Sequence, residues 1–415
     1  MGFTRLTPLS EAIAWIDRAV AGWVEVERLS LREARGRVLA RDVSAEKNAP
    51  PFDRALADGY AVEACSTLGA STYNPLTFRL GDSGGAIFPQ ASAVALGSPL
   101  PANADAVVPL DHVEKDEAGN TFEIIDPIAA GANVERAGAA YSRGTLLLRA
   151  GLRLGPGHMA LLAEAGIGAV EVVRSPRVQL VVTGKDLVTV GDELPTGAVF
   201  DADTPMLRGL VERDGGTVEI CMTDRNSAHA VRTAIAARNT DLVIVIGGSG
   251  LGANDAIVVE ALGRAARPGD DGLSIHGVAL RPGLSSGIGR VAGMPLFLLP
   301  GLPVACLWAY EMLVGRAVRR LSGRSPELPY PQREFVALRK IVSNIGFVEV
   351  WPVRGVADTD CIEPILAAAP DSAGGLFSTV AEAAGFVLIP EASEGIPSGT
   401  RTLVYLYDAH RPDSV

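Results

Sequence analysis

Asp241-Leu-Val-Ile-Val-Ile-Gly-Gly-Ser-Gly-Leu-Gly-Ala-Asn-Asp255 is the stretch that decides the fold. Its apolar run, Leu242 to Ile246, reads as a strand buried on both faces, as in a parallel sheet. Gly247, Gly248, Gly250 and Gly252 follow, and a helical pattern then runs from Asp255 to Leu262. Glycines let the backbone approach a ligand closely, and helix N-termini favour anions. Ligands of open α/β sheets bind at the carboxyl ends of the strands, so a phosphate is the expected guest. The loop matches neither G-x-G-x-x-G in register nor G-x-x-x-x-G-K-[ST]. A tight strand-to-helix turn with no ligand is the plain alternative.

The same alternation extends on both sides. Strands are predicted over 178–182, 217–222 and 296–299, with helices near 204–213, 227–238, 255–264 and 303–321. This is the pattern of a doubly wound α/β domain over 175–323. Thr7-Pro8-Leu9-Ser10-Glu11 looks like a helix start, and a second helix is predicted over 30–39. Residues 52–145 hold short β-like pieces and turn residues, a mostly-β module. A helix over 155–169 and a strand over 168–173 follow. Residues 324–332 read as a proline-rich linker, and 333–408 as a second β module. The expected division is a helical and extended part (1–46 with 144–174), a mostly-β inserted domain (47–143), the α/β domain (175–323) and a C-terminal β domain (330–410).

Composition bounds the function. A chain of 415 residues, 48% of them hydrophobic, exceeds one ordinary core. The net charge is −11, from 37 basic and 48 acidic residues, with no basic run; nucleic acid is an unfavoured partner. The four cysteines are far apart and form no metal-type pair. Cys221 and Cys306 sit in apolar runs as buried thiols, which fits a reducing cytosol. The start of the chain has no apolar signal region, and no apolar run reaches the ~18 residues of a membrane span. A cytoplasmic location is expected.

Five further loops converge on the same sheet end. Thr183-Gly184-Lys185-Asp186 offers Lys185 to a phosphate and Asp186 to a metal or a proton, or is a solvated turn. Phe200-Asp201-Ala202-Asp203-Thr204 precedes a helix, and one of its acids is read as a helix cap. In Thr223-Asp224-Arg225, Asp224 binds a ligand or caps the next helix. Leu280-Arg281-Pro282-Gly283 follows a strand-like stretch, Gly277 to Leu280, and Arg281 could clamp an oxyanion. Leu299-Pro300-Gly301-Leu302-Pro303 opens a helix, with Pro303 in its first turn. In the first β module, Asp58-Gly59 is either a turn pair or a carboxylate presented across a domain cleft.

Together these segments resemble the molybdopterin molybdenumtransferase family, which includes the C-terminal domain of gephyrin. The family's F-D-x-S-x-M-D-G-Y-A-V appears as Phe52-Asp53-Arg-Ala-Leu-Ala-Asp58-Gly-Tyr-Ala-Val62. The match continues in order at Gly97 to Pro101, Ala104 to Val108, Thr183-Gly184, Gly247-Gly248, Gly252, Asp255, Pro282-Gly283 and Leu299 to Pro303. The resemblance implies an elongated four-domain subunit in a homodimer, with the cleft shared with the partner's β module. It implies adenylylated molybdopterin and molybdate as substrates, Mg2+ as the divalent metal, and AMP as the leaving product. A molybdoenzyme client or an upstream adenylyltransferase would be the protein partner.

By the same resemblance, Asp58, Asp186, Asp224 and Asp255 are the catalytic acids, and the last three hold the metal. Thr183, Gly184, Lys185, Gly247, Gly248, Ser249, Gly250, Gly252, Arg281, Pro300 and Gly301 bind the ligand. The departures fall on working positions. Leu96 replaces a threonine, Ala139 and Ala140 replace two acids, Lys185 replaces an acid, and Asp186 stands for a glutamate. Leu284 replaces a lysine, Leu302 an asparagine, and Phe347 and Pro352 stand where the family has arginines; the family's Q-G-S turn is Ser372-Ala-Gly374. Such donors position and stabilise charge in phosphoryl chemistry, and losing one commonly costs about 2.7–4 kcal/mol. Two alternatives to an active transferase follow: a degenerate paralogue that binds or chaperones the pterin, and chemistry turned to another phosphorylated small molecule through Lys185.

Overall fold

The computed structural model describes residues 5–81, 88–115, 120–184, 186–223, 227–236, 239–356, 359–366 and 377–407. Lys185, Asp224 and the Ser372-Ala-Gly374 segment lie outside them. The chain forms two compact units, Arg28–Val172, and Met1–Glu27 together with Val173–Val415.

The 28–172 unit is built on a six-stranded sheet in the order Ala106–Pro109, Gly59–Val62, Gln90–Val94, Leu76–Leu80, Thr121–Ile124, Val113–Lys115. Its core is Tyr60, Val62, Phe78, Val108, Phe122 and Ile124, with Tyr60 stacked on Phe122 at 4.2 Å. Alternation along each short strand sends these side chains to one face. The helix predicted over 30–39 is shorter than expected. Only Leu31–Ala34 is helical, opened by Ser30 and Glu33 in a capping box. Gly36, at φ 79°, turns the chain away, and Val38 and Leu39 then make β-bridges. The later helix spans Pro156–Glu164.

The other unit opens with helix α1 (Leu9–Ala19), whose Leu9, Ala12 and Ile16 enter its core. Strand β1 (Arg177–Thr183), helix α2 (Asp203–Asp214), β2 (Thr217–Thr223), α3 (Ala228–Ile235), β3 (Leu242–Ile246) and α4 (Ala253–Leu262) follow in alternation. Then come β4 (Gly272–His276), β5 (Gly287–Val291), β6 (Met294–Leu299) and α5 (Pro303–Ala309), which passes through a π-helical turn (Tyr310–Val314) into α6 (Gly315–Leu321). The sheet order is β2-β1-β3-β6-β5-β4. The first four strands are parallel, and β5 is antiparallel to both neighbours. Leu242, Ile244 and Ile246 of β3 enter one core with α1, α2, α5 and α6, while Val243 and Val245 enter the other with α3 and α4. Both faces are covered, which is why β3 reads as an unbroken apolar run.

Two expectations are corrected here. Residues 277–280 do not form a strand of this sheet. Leu280–Arg281 instead pairs in parallel with Val348-Glu349 of a second sheet. Cys221, on the edge strand β2, is half-buried rather than buried, while Cys306 is buried as expected. That second sheet joins Val348–Gly355, Cys361–Pro364, Gln332–Ala337, Arg401–Leu406 and Gly385–Ile389, and the last pairs back to the first, closing a barrel-like ring. Among the described residues no helix is long and apolar enough to cross a membrane.

Candidate active site

The carboxyl ends of β1, β3 and β6 meet at a cavity of about 520 Å³. Thr183, Gly184 and Asp186 line it from the loop after β1, and Gly247, Gly248, Ser249, Gly250 and Asp255 from the loop after β3. Pro300, Gly301 and Leu302 line it from the loop after β6, with Asp203 from the start of α2 and Ser285 from the segment before β5. Parallel strands place these loops side by side, so residues far apart in sequence share one opening.

Close packing fixes the shape of the glycine loop. Gly248 has φ 67°, and a Cβ there would overlap the Val258 side chain. A Cβ at Gly250 would stand 2.5 Å from Asp255 Oδ2. The Asp255 carboxylate therefore occupies the space that a side chain at 250 would need. Thr183 Oγ1 donates to Ile246 O at 2.7 Å, and Gly247 N–H donates to Leu299 O at 3.0 Å, which pins the three loops together. Ser249 Oγ bonds Ser285 Oγ at 2.8 Å, and His276 Nε2 lies 2.9 Å from Ser249 O. Burial holds the His276 ring below the usual imidazole range.

The two acids before α2 divide their work. Asp201 Oδ1 accepts the Thr204 N–H at 3.0 Å and so satisfies one free donor of the first turn. Asp203 is only 8% exposed, and its Oδ1 has no hydrogen-bond partner among the described residues. Burial first, and the charge of Asp201 second, push its carboxyl up to about 7; a hydrogen bond from the Cys306 thiol pulls the other way. Burial likewise raises the Cys306 thiol well above its ordinary value.

Residues 7–166 match a family model described as MoeA N-terminal region (domain I and II), and residues 186–320 one described as probable molybdopterin binding domain. Molybdopterin molybdenumtransferase 2 of Mycobacterium tuberculosis is 31% identical over 90% of this chain and 93% of its own. The chain belongs to the MoeA family of molybdopterin molybdenumtransferases. A putative molybdopterin biosynthesis protein of Methanocaldococcus jannaschii is 30% identical over 97% of this chain and 98% of its own. A crystal structure of a MoeA protein from Pyrococcus horikosii superposes with a TM-score of 0.78 at 29% identity, covering 98% of this chain and all of that one.

Within this MoeA family fold, ten of the sequence-predicted positions share the cavity: Thr183, Gly184, Asp186, Gly247, Gly248, Ser249, Gly250, Asp255, Pro300 and Gly301. Gly252 and Arg281 do not line it. Arg281 instead lies over the Phe347 ring at 3.8 Å, with Glu349 Oε1 3.9 Å away. Asp58 belongs to the 28–172 unit, where its Oδ1 accepts the Leu96 N–H at 2.8 Å. That bond uses the backbone, so it does not depend on the side chain at 96. Lys185 and Asp224 lie outside the described residues. The sequence does not single out Asp203, because its loop reads as a helix cap. The available signal was a pair of acids one residue apart, of which only one can cap.

Proposed function

We propose that this chain acts in molybdenum cofactor biosynthesis as a molybdopterin molybdenumtransferase, placing molybdenum from molybdate on adenylylated molybdopterin with release of AMP. The observation that carries this reading is the meeting of Thr183, Asp186, the 247–250 loop, Asp255 and Pro300-Gly301 on one cavity at the carboxyl ends of β1, β3 and β6. The glycine loop offers backbone close to a phosphate, as sheet-end loops of this kind do. A proline and four apolar side chains, Leu187, Val199, Ile246 and Leu302, also line the cavity and suit a flat ring system.

The donor set fits Mg2+. That ion is held by one or two carboxylates, with phosphate oxygens and water completing its shell. Asp186 and Asp255 supply two carboxylates at the cavity, and Asp224 is proposed as a third. When bound, the ion would neutralise charge that develops on the phosphoanhydride oxygens. The Asp255 carboxylate lies over Gly250, in space that a side chain there would take, so this glycine leaves the carboxylate its position at the cavity. The half-exposed and apolar lining at Leu302, where the family carries an amide, leaves orientation of the anion to the backbone of the glycine loop. Asp58, Lys185 and Arg281 remain proposed contributors, and so do the cytoplasmic location, the homodimer and the four-part domain division. A molybdoenzyme client or an upstream adenylyltransferase is the proposed protein partner.

The test is AMP release from adenylylated molybdopterin when molybdate and magnesium are added to purified protein. AMP should appear with wild type and fall by about 100-fold or more with Asp255→Asn. Ligand binding with no AMP release in wild type would sink the transferase reading.

A further inference from the structure

The peptide between Ser249 and Gly250 is held by a side chain from outside the cavity. Strand β4 ends at His276, which pairs opposite Gly287 of β5. The Gly277 N–H extends that ladder to Ser286 O at 2.9 Å. This placement brings Nε2 of the half-buried His276 ring to 2.9 Å from Ser249 O. Ser249 lines the cavity and His276 does not. A backbone carbonyl only accepts, so Nε2 carries the hydrogen and donates it. Burial favours the neutral ring, which has one N–H to give, and the bond to Ser249 O fixes that hydrogen on Nε2.

The 249–250 peptide is trans, and a planar trans peptide points its C=O and N–H in opposite directions. Turning Ser249 O toward His276 therefore turns the Gly250 N–H away from it. Gly250 lines the cavity, and among the described residues nothing accepts its N–H. The Ser249 side chain is tied separately, through Oγ to Ser285 Oγ at 2.8 Å. With glycine at 250 this peptide can rotate at little steric cost, so the imidazole bond selects its orientation. A donor aimed before the ligand arrives needs no reorganisation when charge develops. We propose that His276 is a positioning residue, which holds Ser249 O so that the Gly250 N–H is presented to an anionic oxygen of the phosphorylated substrate. This rests on the transferase reading above and names the residue that orients one of its anion donors.

The test uses the full chain, with AMP and magnesium as the probe. His276→Leu fills similar space without a donor, and His276→Gln returns an N–H to the same carbonyl. Calorimetric titration should show AMP affinity falling by about 10-fold in His276→Leu, the size of one hydrogen bond to a charged group. His276→Gln should regain most of that loss. Molybdate-dependent AMP release from adenylylated molybdopterin should follow the same order. Thermal unfolding without ligand checks that each variant is folded, and His276→Phe supplies a non-donating ring if the leucine variant is not. A non-donating variant that binds AMP as well as wild type overturns the assignment of His276. So does a glutamine variant that binds no better than the non-donating one. Wild type that binds no AMP overturns the transferase reading, and the assignment with it.

Discussion

Two groups of buried acids in the same unit have opposite surroundings. Asp214 and Glu311, at the end of α2 and in the π-helical turn, are each 1% exposed, and every carboxylate oxygen has a donor. Arg213 bonds Glu311 through both nitrogens at 2.7 and 3.0 Å and also reaches Asp214. Arg319 and Tyr310 bond Asp214 at 2.8 and 3.1 Å, and Tyr330 OH bonds Glu311 at 2.5 Å. Tyr330 in turn packs on Phe386 of the second sheet, ring to ring at 5.3 Å. At the other end of α2, Asp203 is almost as buried and leaves an oxygen bare. Burial alone therefore does not separate structural from functional charge. The partners do: the saturated carboxylates tie α2 to the π-helical turn and α6, whereas Asp203 keeps one buried oxygen unpaired and its proton is held more tightly.

The largest expected effect breaks the saturated side. Arg213→Met leaves Asp214 and Glu311 short of their shared cation and should destabilise the protein by about 3–5 kcal/mol, read by denaturant unfolding. A change below about 1 kcal/mol would mean that the network contributes little.

On the unsaturated side the sign reverses. The folded protein holds the Asp203 proton up to about pH 7, against an ordinary value of 3.8. The folded state therefore binds more protons than the unfolded chain between those values, and stability falls as pH rises through that window. Asp203→Asn should remove the penalty, raising stability by at most about 4 kcal/mol at pH 8 and by little at pH 3. A variant that loses stability at pH 8 would show Asp203 to be a structural group.

The next effect concerns positioning of a neighbour. Gly250→Ala would drive a methyl into Asp255 Oδ2, and displacing that carboxylate should lower AMP release by about 100-fold while stability changes little. Unchanged turnover would place Asp255 outside the chemistry. The smallest effect is the control: Arg41 and Glu171 form an ion pair at 2.8 Å on the open surface, and Arg41→Ala should shift stability by less than about 1 kcal/mol.

Much of the central sheet is legible in the sequence because its strands are buried on both faces and its helices carry clear periods. The 242–246 strand, the glycine loop and the helix after it lie where the pattern places them. Strands β4 and β5 escape notice because they are rich in glycine and polar residues, and neighbours explain why. A Cβ at Gly289 would collide with the Gly272 backbone on the paired strand. Small residues needed for close strand approach carry no hydrophobic period. The expectation for Arg281 missed its pairing because 277–280 looks like a strand of the nearest sheet, while its real partner lies nearly seventy positions away at 348–349. Asp203 was hidden for a different reason. A cap and a buried acid at the cavity wall use the same residue type at the same helix end, and only the Asp201 bond to Thr204 separates them.

The most direct measurement is the thermal stability of wild type and Asp203→Asn at pH 8 and at pH 3. The expected result is a variant more stable than wild type at pH 8 and nearly equal to it at pH 3, because the substitution relieves a buried acid that ionises only at a cost. A variant that is less stable than wild type at pH 8 would contradict the distinction between saturated and unsaturated buried charge.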